Sequence, residues 1–559
     1  MKKILITICS LSIFACAELD TNPTQSVGSA AFYSNEQELR IAANDLYQQF
    51  LWKTSDITWT DDAWHRQSGG VTPITDASIN SETGLSSGYW TDLYKGIARA
   101  NVILENLEGA DVAADVATQF EAEVRFLRAY YYSVLVSHFG NVPLITTTLD
   151  LNSAFEVERE AVGVVKQFIY DELDFASGVL PVTISNGIKT ATKGAVYGIK
   201  ARIALYMGDY ALARDAAKAV MDLGEYDLHE DYGSLFYKAN GTDNEIILSI
   251  PRSVQFEVVD GSTYVRQRIL RNRGGWTSTA PSWSIVDIHE CTDGLTIDQS
   301  PLYDPHDPFA NRDPRLSENV VPHGSQFLST IYQPHVDSLQ TFSFATNGRI
   351  KNNDSRGNTP WASWTGMAMK KGIEEHWIEN TNQSENDKII LRYADILLMY
   401  AEAKIELDDI DNSVLDAINQ IRARAYKVDV ADVANYPEIT TTDQAELRTA
   451  LRRERRVELF NEGLRYMDLI RWRIAEKALN TQLPGMNNPD ILDRNQWPFN
   501  DQILPTIDAD GLVDHSAIIA AGYARELEVY TFDASRQYLW PVPAAERNLN
   551  SLLDQNTNY

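Results

Sequence analysis

Three cysteines in 559 residues are too few to staple a fold together. They stand at Cys9, Cys16 and Cys291, and no CxxC pair offers a metal site. The nine histidines are scattered, without an HExxH, GxSxG or phosphate-loop pattern around them. Beyond the first residues, no stretch is apolar enough to cross a bilayer. Positive charge is also scarce: 49 Lys and Arg stand against 78 Asp and Glu, a formal net charge of −29. Such a surface repels nucleic acid and anionic lipid, so neither is expected as a main partner. The sequence points to no cofactor and no metal. Carboxylates are abundant, however, and glycoside hydrolysis needs only two at a suitable separation, so the absent motifs do not by themselves exclude an enzyme.

What is present is ordinary for a globular chain: 44% apolar and 23% charged residues, with length enough for one large core or two. Twelve Trp and 26 Tyr are a generous supply of flat rings. The first residues, MKKILITICSLSIFAC, combine Lys2 and Lys3 with a short apolar run that ends at a small residue before Cys16. This pattern reads as a bacterial lipoprotein leader over residues 1–15, with Cys16 as the lipidated residue. Phe14 is bulkier than that signal usually carries. Cys9 follows Ile8 and fits cleavage less well. Residues 16–34 are polar and read as a lipidated tether, with acyl chains as the only membrane anchor.

Helical periodicity marks about 36–51, 88–108, 113–139, 160–178, 190–207 and 209–223, and again 388–426 and 443–480. Val124, Leu127, Tyr131, Val134 and Leu135 share one helical face, and Gly140 and Pro143 supply its stop. ARIALYMGD (201–209) and AKIELDDID (403–411) repeat Ala, Ile, Leu and Asp at the same offsets, each between two helices. Short helical pairs of this kind suggest tetratricopeptide-like packing. The scaffold is expected over about 35–224 and 386–480. Residues of about 225–385 and 484–543 differ: they are rich in Trp, Gly, Asn and Pro, and predict a loop-rich part with short strands. Loops on a rigid frame are where binding residues usually sit.

One segment, LRRERRVELFNEGLRYMDLIRWR, concentrates Arg452, Arg453, Arg455, Arg456, Arg465, Arg471 and Arg473. Glu454, Glu458 and Glu462 interleave with them at helical spacing, beside an apolar face of Leu451, Val457, Phe460, Leu464 and Leu469. That spacing predicts ion pairs within and between helices rather than an anion-binding groove, which would need unmatched Arg.

Several segments together resemble the SusD/RagB family of Bacteroidetes-type outer-membrane lipoproteins. They are WTDLYKGIARANVIL (90–104), EVRFLRAYYYSVLVSHFGNVPL (123–144), FANRDPRL (309–316), LRYADILLMYAEAKIEL (391–407), RRERRVELFNEGLRYMDLIRW (452–472) and the tail YLWPVPAAERNLNSLLDQNTNY (538–559). They occur in the family's order and cover nearly the whole mature chain, with a departure at Asn558. The resemblance implies a single SusD-like domain over 35–559, mostly α, with a frame of tetratricopeptide-like helical pairs and a loop-rich binding part with short strands. It implies a non-enzymatic nutrient-binding role at the cell surface. It also implies capture of a glycan and its delivery to a SusC-like TonB-dependent outer-membrane barrel. A peptide or other non-glycan nutrient is the alternative ligand; a hydrolase or a purely structural helical adaptor is a third reading.

A sugar offers apolar C–H faces and a hydroxyl rim, so its site needs exposed rings edged by Asp, Asn, Arg or Gln. Three loops have that composition. DDAWHRQSGG (61–70) supplies Asp62, Trp64, Arg66 and Gln67, RNRGGWTSTAPSW (271–283) places Trp276 after two glycines, and NTPWASWTG (358–366) carries Trp361 and Trp364. Trp64 would otherwise anchor its loop to the core. Trp90 and Trp283 read as packing residues. Asp304, Asp307, Asn311 and Asp313 could ligate Ca²⁺ by type, but their spacing fits no known loop.

Overall fold

The computed structural model describes residues 32–66, 71–184, 189–380, 382–486, 498 and 503–559. The leader, Cys16, most of the tether and Gln67 lie outside the described residues. The fold is mostly helical, 42% helix and 11% strand. Its frame is α1 (Glu36–Asp45), α2 (Gly84–Asn106), α3 (Ala114–Phe139), α4 (Val162–Val179), α5 (Lys193–Tyr206) and α6 (Tyr210–Met221), joined later by helices Tyr393–Glu406, Asn412–Ala425, Gln444–Glu458 and Arg465–Arg471. Sequence neighbours pack side by side: α3 on α4, α5 on α6, and Tyr393–Glu406 on Asn412–Ala425. The first helix of that last pair also packs on α6, joining the two blocks.

The helical pairs turn as the repeated sequence suggests. After α5, Gly208 takes φ +77° and the Asp209 amide donates to Ala204 O at 2.8 Å. After Tyr393–Glu406, Asp408 takes φ +56° and the Asp409 amide donates to Lys404 O at 2.9 Å. Both helices thus end in a left-handed cap with the same six-residue bond. The next helix starts one residue after Asp209 in the first pair and one after Asp411 in the second, so the second connection is two residues longer. The repeat aligns the starts of the second helices, not the first helices themselves.

Three predicted helices are broken. Residues 443–480 divide into Gln444–Glu458, Arg465–Arg471 and Ala475–Ala478, with Asn461 and Gly463 at positive φ in the first gap. Residues 36–51 are helical only to Asp45, because the chain turns to bury Leu46, Leu51 and Trp52, and Tyr131 Oη donates to Leu46 O at 2.5 Å. Residues 388–426 open with a strand, Lys388–Arg392, paired antiparallel with β2 (Ile246–Ile250). That pair clamps the neck of the loop-rich segment: the chain leaves the frame along one strand and returns along the other. Between them lie short helices and a four-stranded antiparallel sheet over 326–351.

The Arg-rich segment forms a buried ionic lattice. Arg455, fully buried, donates to Asp395 at 2.6 Å and Asp468 at 2.9 Å. Glu458 faces Arg315 and Arg392 at 2.8 and 2.7 Å and pairs also with Arg424. Glu454 binds Arg315 and Arg422, while Glu462 binds Arg392 and Lys371. Arg471 pairs with Glu402, Arg452 with Asp510 and Arg453 with Glu290. Arg473 instead lies over the Tyr538 ring at 3.5 Å. The expected lattice is there, but nearly all its pairs join different elements; Arg471 with Asp468 is an i,i+3 exception. Such a buried charge survives only because every partner is present: removing one would strand the rest in low dielectric.

Candidate functional site: an aromatic face built from three loops

The lattice holds the first of the three loops. Arg456 and Arg465 grip Asp61, and Arg456 also binds Asp62 at 2.8 Å. Burial would raise the Asp61 carboxyl, but the two guanidiniums outweigh it and hold it below its ordinary value. Asp62 is only 1% exposed, so it anchors the loop and does not face solvent. The sequence reading placed it at a ligand's edge; the structure corrects this.

After Asp62 the chain enters β1 (Ala63–His65), which pairs antiparallel with β3 (Thr279–Pro281), Trp64 opposite Ala280. The Arg66 amide donates to Ser278 O at 2.9 Å, and the Ser282 amide donates to Asp62 O at 2.9 Å. Two distant loops are thereby zipped together. The pairing turns Trp64 inward, where it is 3% exposed. It is therefore a supporting ring rather than a surface platform, a second correction. Its face stacks under Trp364, with centroids 5.5 Å apart and planes at 24°.

Trp276 follows a turn that is held, not loose. Gly274 has φ +84°, and a Cβ on Gly275 would fall 2.1 Å from Ile269 O. The Trp276 amide donates to Arg266 O at 2.5 Å, and its residue is half-buried. The third loop is pinned at its far end. Trp283 Nε1 donates to Thr365 O at 2.9 Å from a fully buried ring, and Trp364 Nε1 donates to Pro360 O at 2.9 Å. Gly366, with φ +76°, lies where a Cβ would sit 1.5 Å from Met486 Sδ. Trp90, expected to pack, is buried at 4% exposure.

Arg66 ties the loops into one face. Its Nη1 donates to Trp361 O at 2.5 Å and its Nη2 to Trp276 O at 3.0 Å. Its guanidinium also lies 5.9 Å from the Trp361 ring centroid. Burial, with Arg271 nearby, pushes the Arg66 group down to about 10, still fully charged at neutral pH. Trp361 itself is 58% exposed and is the exposed Trp among the described residues. The outcome is a surface with Trp361 foremost, Trp276 and Trp364 half-exposed beside it, and Arg66 beneath. It can offer stacking faces and cationic donors, which suits a flat ligand with a polar rim.

Three further arginines complete the face, and the sequence reading missed them. Arg271 Nη1 donates to Trp276 O at 3.1 Å, the oxygen Arg66 also uses. Arg356 and Arg525 lie over the Trp364 ring, at 5.6 and 4.7 Å from its centroid. Arg525 arrives on a strand, Arg525–Val529, opposite Gly485, while the Met486 amide donates to Trp364 O at 2.9 Å. The sequence carries one hint, the RNRGG start of the second loop.

The acidic loop at 303–313 is committed elsewhere. Asp313 binds Arg315 at 2.7 Å, Asn311 donates to Leu302 O at 3.1 Å and Asp304 accepts from the His306 amide at 2.9 Å. Among the described residues no group of three or more His, Cys, Asp or Glu could hold a metal ion. A separate groove of about 470 Å³ runs between α2 and the C-terminal segment, with Trp90, Tyr94, Phe155 and Leu553 in its wall. It has a mostly apolar lining and no guanidinium.

Comparison with known proteins agrees with this architecture. The model of the SusD family matches residues 244–559, and a second model, described as starch-binding associating with outer membrane, matches 20–205. SusD-like protein P25 of Formosa agariphila is 26% identical over 501 residues, 83% of this chain and 88% of its own. The crystal structure of a SusD-like carbohydrate binding protein from Bacteroides fragilis superposes with a TM-score of 0.76 at 26% identity, covering 94% of this chain and 100% of that one. A laminarin binding SusD-like protein shares the fold at 20% identity, with a TM-score of 0.66, 94% of this chain and 100% of that one. Among the described residues no helix is long and apolar enough to cross a membrane. The family model spans more than half of the chain, and the helical frame and small sheets match its solved members: this chain belongs to the SusD family.

Proposed function

We propose that the three-loop face is a glycan-binding platform of an outer-membrane lipoprotein, lipidated at Cys16, that passes its ligand to a SusC-like TonB-dependent barrel. The observation that carries this reading is Trp361: a large ring 58% exposed, on a loop tied down at both ends, beside two more half-exposed rings. An exposed Trp has a cost in water, and covering it with the apolar face of a sugar recovers that cost. The ring is held in advance, so little ordering entropy is lost on binding. The carbohydrate binding relative from Bacteroides fragilis and the laminarin binding protein that shares the fold point the same way. The role in this reading is capture rather than turnover.

Calorimetric titration of residues 17–559 against plant, fungal and host polysaccharides tests the reading. The expected result is heat with at least one glycan, lost in Trp361→Ala and reduced in Trp276→Ala. Heat with peptides and none with any glycan would contradict it. Co-purification of the full chain with a SusC-like barrel from outer membranes, lost in Cys16→Ala, tests the delivery step.

A further inference from the structure

We infer that the ligand of this face is an anionic glycan, whose carboxylate or sulfate groups are bound by the four guanidiniums of Arg66, Arg271, Arg356 and Arg525. The inference rests on the glycan reading above and specifies its chemistry.

The argument is one of missing countercharge. The chain carries 29 more acidic than basic side chains, and the buried arginines of its lattice are matched: Arg455, Arg456, Arg465 and Arg471 each have carboxylates within 3 Å, while Arg473 at the end of that segment lies over the Tyr538 ring. At the aromatic face the rule fails. Among the described residues none of Arg66, Arg271, Arg356 and Arg525 forms an ion pair. They stand instead as two like-charged pairs. Arg66 and Arg271 donate to a single carbonyl oxygen, that of Trp276, at 3.0 and 3.1 Å. Arg356 and Arg525 share the Trp364 ring at 5.6 and 4.7 Å. A carbonyl and a ring face attract cations but do not neutralise them.

Each pair is felt by one of its members. Burial and then the neighbouring guanidinium lower Arg66, through Arg271, and lower Arg356, through Arg525. Arg271 is lowered by burial, against a raising pull from Asp354. That acid is turned to the backbone: its oxygens accept the amides of Arg271 and Asn272 at 2.8 and 3.3 Å. Glu526, beside Arg525 in sequence, is occupied by Gln482. Among the described residues, the buried Nε and Nη1 of Arg356 have no hydrogen-bond partner. The face therefore holds unspent positive charge next to stacking rings, and loses repulsion when an anion arrives. Carboxylate and sulfate both match a guanidinium fork, and a neutral sugar does not. The acidic remainder of the surface repels such a polymer everywhere else, which confines it to this face.

Matched polymer pairs that differ only in charge provide the test. Residues 17–559, which include every described element, are run in affinity gels containing polygalacturonate, its fully methyl-esterified form, dextran sulfate or dextran. A panel of neutral glucans and mannans is run alongside. The expected result is retardation by polygalacturonate or by dextran sulfate, which separates the carboxylate from the sulfate source, with the uncharged partner at least tenfold weaker. Retardation should fall about tenfold in Arg356→Gln/Arg525→Gln and in Trp361→Ala, should return in Arg356→Lys/Arg525→Lys, and should weaken as NaCl rises. Thermal melts of each variant confirm the fold. Equal binding to charged and uncharged partners, unaffected by the double Gln variant, overturns the anionic reading while leaving the platform standing. Trp361-dependent binding to neutral glycans only does the same. Retardation by no glycan overturns both.

Discussion

Trp64 and Trp364 lie face to face, 5.5 Å between centroids, yet one is 3% exposed and the other opens to the surface. The buried ring is the seat of the exposed loop. Trp64→Ala should remove a core contact and tilt Trp364, costing about 3–5 kcal/mol of stability. Urea unfolding checks this, and the loss should exceed that of any single change at Trp361 or Trp276.

Arg66 works by reach as much as by charge. Arg66→Lys keeps the charge but cannot hold Trp361 O and Trp276 O together. Glycan affinity should fall about tenfold, and amide exchange in residues 358–366 should quicken, with the melting temperature little changed. Unaltered exchange there would show that the loop is held by other contacts.

The lattice should be intolerant of single losses. Glu458→Gln would leave Arg315, Arg392 and Arg424 without their shared carboxylate in a fully buried site. A cost of about 3–5 kcal/mol is expected in chemical denaturation, against less than about 0.5 kcal/mol for an exposed pair such as Lys218 with Asp222.

Acid should unfold the protein in two stages. Burial holds His138 and His323 at about 4 and His289 at about 3, below the ordinary 6.5. A depressed folded value means that the unfolded chain binds protons first, so this stability is present above pH 6.5 and is lost as pH falls towards 4. Asp395 and Asp313 follow. Burial opposes their ionisation, but Arg455 with Arg202, and Arg315, hold them at about 2 against an ordinary 3.8. Their contribution, about 2 kcal/mol each, is present above pH 3.8 and lost towards pH 2. Urea midpoints measured from pH 8 to pH 2 should show both declines, and His138→Asn should flatten the first.

Sequence pattern carried the frame well. The apolar spacing of Val124, Leu127, Tyr131 and Leu135 set α3 nearly to its ends, and the alternation of Arg with Glu454, Glu458 and Glu462 announced mutual neutralisation. Composition also picked out three loops, by rings beside Gly and polar residues, that the structure brings together. What composition could not show was which way each ring faces. Trp64 and Trp361 have equally polar surroundings in the chain; only the pairing of β1 with β3, more than 200 residues apart, turns the first inward. Asp62 looked like a surface acid because its partner, Arg456, lies 394 residues away. Arg525 reaches Trp364 by a strand pairing that no local pattern encodes.

The central claim is that Trp361 is the platform on which a glycan stacks. Titration calorimetry of the parent chain and of Trp361→Ala, with the glycan that the parent binds, tests it most directly. The account predicts a Kd at least tenfold weaker in the variant, about 1.4 kcal/mol or more, with an unchanged melting temperature. An unchanged Kd would place the sugar elsewhere on the molecule and contradict the account.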